Sequence, residues 1–216
     1  MIVAFEGAPG TGKSTTAAAL TAQGAFVVPE VNRLFARPDP EPVDWNYERH
    51  NARWEMAQLK AAQGTLAVLD GDPFHPIWFP WIYPDAGFAP VSTAAQFYRD
   101  RLVARRLAFP DLYVFMHIAE PERRKRMLAR ERAQGVADET AIRKIRHYAR
   151  MVGPQRRYFT ALNKRFPGWV LFVETSSLKS SIAVIRDAAQ QPAAKRDGFE
   201  VLQFMVEWLA TNSPKA

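Results

Sequence analysis

Gly7-Ala8-Pro9-Gly10-Thr11-Gly12-Lys13-Ser14 fits the pattern G-x-x-x-x-G-K-S/T at every position, directly after the apolar run Ile2 to Phe5 and directly before helix-forming Ala17-Ala18-Ala19-Leu20. Each residue type in such a loop has its own physical task. Glycines let successive main-chain N–H groups turn toward one anion, and the helix N-terminus adds the positive end of its dipole. The lysine reaches outer phosphates, and the serine hydroxyl is suited to Mg²⁺. Gly7, Ala8, Pro9, Gly10, Thr11, Gly12, Lys13, Ser14 and Thr15 are therefore the candidate nucleotide-binding residues, with ATP and Mg²⁺ as the expected ligands.

Other chemistry-bearing residues fall into three groups. Leu66-Ala67-Val68-Leu69-Asp70 is an apolar run ending in a carboxylate, so Asp70 joins Ser14 as a candidate metal ligand. Asp72, two residues on, is a second candidate acid, and both also suit a turn at the end of a strand. Val27-Val28-Pro29-Glu30 closes another apolar run. A carboxylate there emerges near the γ-phosphate, which makes Glu30 the first candidate base and Asp72 the reserve. An ion pair with Arg33, or water-mediated Mg²⁺ binding, is the competing role for Glu30. Arg123, Arg126 and Arg130 stand at i, i+3 and i+7 on one helical face, with Arg132 behind them. Like charges stacked this way are destabilising unless an anion lies against them, so Arg126 and Arg130 are read as catalytic and, with Arg132, as nucleotide-binding. The bland alternative is a solvated basic face.

Pro73 to Pro90 holds five prolines and six aromatic residues, and is read as a rigid aromatic loop beyond the third strand, where open α/β sheets bind ligands. The expected acceptor pocket draws on Asp72, His75, Trp78, Trp81 and Tyr83 from this segment, with Arg33 and Trp54 from preceding elements and Trp45, Tyr47 and Arg53 as further wall. A self-packed loop or a dimer contact is the alternative.

These residues need a frame, and the remaining pattern supplies one. Five apolar runs, Ile2 to Phe5, Ala25 to Val28, Leu66 to Leu69, Leu112 to Ile118 and Trp169 to Val173, read as buried parallel strands. Helical stretches lie between and after them, at about 12–22, 44–63, 92–107, 121–134, 138–166, 180–190 and 199–209, with Pro154 expected to break or kink the longest. In the turn at 135–138, Asp138 is expected to cap the next helix. The 216 residues suit one domain over 1–216. No internal repeat or low-complexity linker interrupts it.

Composition narrows the chemistry. The formal charge is 29 − 22 = +7 and 21 of the 29 cations are arginine, so planar forks for phosphate or carboxylate are abundant. The excess is local: Arg99 to Arg165 holds 18 cations and 7 acids, or +11. Without aromatic stacking pairs on adjacent strands, that stretch fits a polyphosphate site better than a nucleic-acid surface. Cysteine is absent, which removes thiolate nucleophiles, disulfides and cysteine-held metals, and the four histidines lack metal-ligand spacing. An acidic residue interrupts the apolar N-terminus and no stretch approaches ~20 apolar residues, so the expectation is a cytoplasmic protein without a membrane span. The expected partner is a small-molecule acceptor, with the chain a monomer or homodimer.

Val28-Pro29-Glu30 and Arg126-Met127-Leu128-Ala129-Arg130-Glu131-Arg132, taken with the phosphate loop, resemble the deoxynucleoside kinase and thymidylate kinase group of the nucleoside and nucleotide kinase superfamily. The resemblance spans roughly residues 1–165. It implies a three-layer α/β/α phosphate-loop NTPase fold with a five-stranded parallel sheet. It also implies a carboxylate at Glu30 facing the acceptor hydroxyl, an arginine-rich lid over about 123–138, and Tyr148 and Tyr158 on a helix after the lid. Asp70-Gly71-Asp72 stands where that group usually carries E-R-S, closer to the D-G-F-P-R of adenylate kinases but without its arginine. Small-molecule kinases of the same superfamily, including antibiotic-modifying ones, keep the phosphate loop and vary what touches the acceptor. The implied activity is transfer of the γ-phosphoryl group to the hydroxyl of an antibiotic or nucleoside-like compound, with deoxynucleoside or nucleoside monophosphate kinase, and an ATP-hydrolysing regulatory protein, as alternatives. GTPases are disfavoured because the only Asn-Lys, Asn163-Lys164, is followed by Arg165-Phe166. AAA-type motors are disfavoured by length and by missing sensor and arginine-finger elements.

Overall fold

The computed structural model describes residues 1–214. Strand β1 (Ile2–Glu6) leads through the phosphate loop into α1 (Lys13–Thr21), and β2 (Phe26–Val28) is followed by short α2 (Val31–Leu34) and long α3 (Trp45–Ala62). Next come β3 (Ala67–Asp70), α4 (His75–Ile82), a 3₁₀ turn at Pro84–Ala86, α5 (Val91–Val103) and β4 (Leu112–His117). The chain ends with α6 (Glu120–Ala133), α7 (Asp138–Arg165), β5 (Val170–Glu174), α8 (Leu178–Ala189) and α9 (Gly198–Thr211).

All four strand pairings are parallel, in the order β2-β3-β1-β4-β5. Both sheet faces are dry, which is why the strands read as continuous apolar runs. Alternate residues separate the two cores. Val3, Phe5, Val68, Val114 and Met116 pack with Ala17, Leu20 and Ile185 of α1 and α8. Ala4, Leu69, Tyr113 and Phe115 pack with residues of α3, α4, α5, α7 and α9. Pairing of Phe5 with Asp70 and of Val28 with Leu69 sets the phosphate loop, Asp70 and Glu30 side by side at the carboxyl edge.

Three sequence expectations change. The proline-rich segment is a helix over His75–Ile82, because Pro76 sits in the first turn, where its missing N–H is surplus, and Pro80 alone interrupts the ladder. Burial of Ile77, Trp78, Trp81 and Ile82 offsets the lost bond. Pro154 does not end α7, whose buried Met151, Gln155, Tyr158, Phe159 and Leu162 hold the helix on the core to Arg165. Asp138 is the first residue of α7 and Ala137 its N-cap; the Asp138 carboxylate instead takes two hydrogen bonds from Arg132, at 2.8 and 2.6 Å. Among the described residues, no helix is long and apolar enough to cross a membrane.

Candidate active site

The phosphate loop turns sharply at Gly7 and Gly10, whose φ values are 135° and 91°. A Cβ on Gly7 would lie 2.2 Å from the Met116 carbonyl oxygen, and one on Gly10 would lie 2.7 Å from Met127 Cγ. Only glycine fits either place. Thr11 is buried and its hydroxyl donates to Ala8 O at 2.8 Å, closing the turn from within. Lys13 reaches back over the loop and donates to Gly7 O at 2.7 Å. Thr175, at the end of β5, donates to Thr11 O at 2.6 Å and so ties the loop to the far side of the sheet.

Ser14 Oγ donates to Asp70 Oδ2 at 2.9 Å, while Asp70 Oδ1 is buried without a hydrogen-bond partner among the described residues. A hydroxyl and a carboxylate in contact, with one buried oxygen unsatisfied, fit a Mg²⁺ ion that draws its other ligands from phosphates and water. No group of three or more histidine or acidic residues among those described forms a metal cage.

Two cavities open at this edge. The first, about 700 Å³, is lined by Pro9, Gly10, Gly12 to Thr16, Glu30, Arg33, Arg126, Arg130, Tyr148 and the Thr175–Ser181 region. The second, about 390 Å³, is lined among others by Glu6, Gly7, Arg37, Asn46, His50, Arg53, Asp70, Asp72, His75, Phe79 and Phe88. Pro9, Lys13, Glu30 and Tyr148 line both, so the cavities meet at Lys13 and Glu30. Glu30 is exposed at the N-terminus of α2; its main-chain oxygen accepts from Arg33 N at 3.0 Å, while its carboxylate makes neither a hydrogen bond nor an ion pair among the described residues, so the competing Arg33 ion pair does not form.

Asp72 is placed differently. It is 1% exposed, Oδ1 accepts from Phe74 N at 3.0 Å and Tyr113 OH at 2.8 Å, and Oδ2 accepts from Trp78 Nε1 at 2.9 Å. Burial pushes its carboxyl up to about 6 against the pull of these donors and of Arg53. With three donors on its two oxygens, it anchors α4 to the sheet. Beneath it lies Glu6, which the sequence reading passed over: it accepts from Asp72 N (2.7 Å), Gly7 N (3.2 Å) and Gln155 Nε2 (2.7 Å). Burial, then the Asp72 charge, pushes the Glu6 carboxyl up to about 8 against Lys13. A carboxylate ending the first strand was visible in the sequence as the only charge in Ile2 to Gly7.

The arginines divide. Arg126 and Arg130 line the first cavity; Arg126 bonds Glu122 at 3.0 Å and Thr175 O at 3.1 Å, and Arg130 bonds Glu131 at 2.9 Å. Arg132 turns to Asp138 and lines neither cavity, apart from Arg126 and Arg130 with which the sequence groups it. Arg123, grouped with Arg126 and Arg130 by spacing, is 1% exposed; it chelates Glu120 at 2.6 and 2.9 Å and donates to Pro9 O at 3.0 Å. It props the phosphate loop from below.

Of the expected acceptor residues, Asp72 and His75 line the second cavity and Arg33 the first. Trp54, Trp78, Trp81 and Tyr83 line neither, because their rings fill the core: Trp78 packs on Tyr158 and Phe159, and Trp81 reaches Trp208 and donates to Asn212 O at 2.7 Å. Tyr83 stacks on His147 at 4.7 Å. His50, Asn46, Arg37, Phe79 and Phe88 take their place; His50 and Asn46 carried no motif, and their position depends on how α3 docks.

A parallel sheet, a phosphate loop filled only by glycine at its turns, and a Ser14–Asp70 pair define a phosphate-loop α/β protein. The chain belongs to the family described as an AAA domain, whose model matches residues 2–139. The match agrees with the phosphate-loop NTPase reading of the sequence. No curated protein matches the chain. Among solved structures, deoxyadenosine kinase from M. mycoides with bound dATP is similar at 18% identity, over 88% of this chain and 100% of that one, with a TM-score of 0.48. The same enzyme with dCTP gives 19%, 88%, 98% and 0.47.

Proposed function

We propose that the protein is an ATP-dependent phosphotransferase acting on a hydroxyl of a small molecule. The observation that carries this reading is the junction of the two cavities at Lys13 and Glu30. An enzyme that only hydrolysed ATP would need no second chamber at the γ-phosphate. In this reading the triphosphate lies in the first cavity with its outer phosphates against Lys13, and the acceptor enters the second with its hydroxyl toward Glu30. Mg²⁺ held by Ser14 and Asp70 would neutralise charge on the phosphates. Glu30, whose carboxylate has no hydrogen-bond partner among the described residues, takes the hydroxyl proton as the oxygen attacks. Arg126 and Arg130, from the α6 lid, neutralise charge on the transferring group. Asp72 positions α4 and is not the base.

A nucleoside acceptor is the second reading, favoured by Phe79, Phe88 and Asn46 lining the acceptor cavity with both flat and amide groups. The test is a panel of nucleosides and ring-bearing antibiotics with labelled ATP. Acceptor-stimulated ADP release with a phosphorylated product is expected, and its loss in Lys13→Ala, with the fold unchanged by circular dichroism. Hydrolysis that no acceptor stimulates, or turnover that survives Lys13→Ala, would sink the proposal.

A further inference from the structure

Arg53 of α3 is 1% exposed and makes no direct ion pair with a carboxylate among the described residues. Its Nε donates to Pro29 O at 2.7 Å, and its Nη2 to Asp70 O at 2.6 Å and Gly71 O at 3.1 Å, so one guanidinium ties together the strand ends that carry Glu30 and Asp70. Nη1 stands 3.2 Å from His50 Nδ1. A guanidinium has only donors and stays protonated in proteins, so His50 Nδ1 is the acceptor. The single proton of the neutral ring is then on Nε2. Burial, Arg53 and His75 hold this histidine well below its ordinary range, in agreement with a neutral ring. His50 lines the acceptor cavity, and Nε2 meets no protein acceptor among the described residues. Beside it the His75 ring lies nearly parallel to that of His50 (6.2 Å, 15°) and stacks on Phe79 (4.4 Å, 27°).

From this geometry we infer that His50 is a specificity-determining residue of the acceptor cavity, presenting an N–H donor whose direction Arg53 fixes. The acceptor it selects carries a planar ring for the His75–Phe79 wall and a carbonyl or ring nitrogen to accept from Nε2. A cationic amine in that place meets an N–H donor backed by a buried guanidinium and is rejected. Arg53 is the positioning residue. The inference rests on the phosphotransferase reading for its substrate, but not for its chemistry.

The full chain labelled with ¹⁵N-histidine carries four histidines, few enough to assign by substitution. Long-range ¹H–¹⁵N spectra are expected to show His50 protonated at Nε2, and thymidine, deoxyadenosine or chloramphenicol is expected to shift that signal while kanamycin is not. His50→Phe is expected to raise KM for a phosphorylated ring acceptor ~10-fold with a smaller fall in kcat, and His50→Gln, which keeps an N–H near Nε2, to recover part of it. A proton at Nδ1, an equal shift by kanamycin, no shift by any ring compound, or an unchanged KM in His50→Phe each overturns the inference. If none of these compounds is phosphorylated, the phosphotransferase reading fails for this panel, and the wild-type spectra still decide the role of His50 without any variant.

Discussion

Glu30 and Asp72 show how the same functional group, a carboxylate, takes different work from its surroundings. The Glu30 carboxylate has no partner among the described residues where two cavities meet, whereas that of Asp72 is saturated by Phe74, Tyr113 and Trp78. Glu30→Gln is therefore expected to lower kcat by ~10²- to 10³-fold at saturating acceptor, with ATP affinity kept, since general-base help is worth ~10²- to 10⁴-fold and phosphoryl transfer leans more on electrostatics. Asp72→Asn places an amide N–H₂ against N–H and O–H donors and should lose ~1–3 kcal/mol of stability, read as a lower urea midpoint. Near-normal turnover in Glu30→Gln, with loss confined to Asp72→Asn, would transfer the base to Asp72. Arg126→Ala and Arg130→Ala should each lower kcat more than ATP affinity, because their best contacts form as charge redistributes in the transition state. Equal losses in both quantities would make them binding anchors only.

Helix α6 has two functions on one element. Its buried edge, Arg123 and Met127, supports the phosphate loop, and its open edge, Arg126 and Arg130, faces the cleft. Contact with the loop is close at Gly10, where a Cβ would stand 2.7 Å from Met127 Cγ and 2.9 Å from Arg123 O. Gly10→Ala therefore has to move α6 as well as accept a left-handed φ of 91°. A loss of ~1–3 kcal/mol is expected, together with weaker ATP binding, since the loop and the arginines shift as one body. Calorimetric binding of ATP at native Tm would show the coupling absent.

The molecule as a whole carries buried titratable groups that pull stability in opposite directions with pH. Glu6, raised to about 8 from 4.5, binds its proton more tightly folded than unfolded, so its contribution falls as pH rises through that interval. Asp72, raised to about 6 from 3.8, acts likewise at lower pH. His50 and His75, the latter lowered to about 3 from 6.5, are neutral when folded and charged when unfolded, so stability rises with pH until 6.5. Between pH 6.5 and about 8, Glu6 alone among these four gives a slope, and it is downward. Glu6→Gln should flatten it. Urea midpoints at pH 6.5 and about pH 8 measure this, and an equal decline in wild type and variant would refute the assignment.

Much of this was written locally in the chain. The phosphate loop, the five strands and the start of every long helix follow from glycine spacing, apolar runs and helical periodicity, because those signals depend on neighbours within a few residues. Lys13, Ser14, Asp70 and Glu30 were legible for the same reason, each standing at the end of a recognisable strand or on the loop. What the tertiary structure alone decided depends on packing across the sheet. Spacing put Arg123 beside Arg126, but burial against Pro9 and Glu120 separated them. Proline density argued against a helix over His75–Ile82, yet the burial of two tryptophans outweighed it and removed Trp78 and Trp81 from the acceptor cavity. His50 joined that cavity because α3 docks on β3 with Arg53 bonded to the main chain there, a contact between residues far apart in sequence that no local pattern encodes.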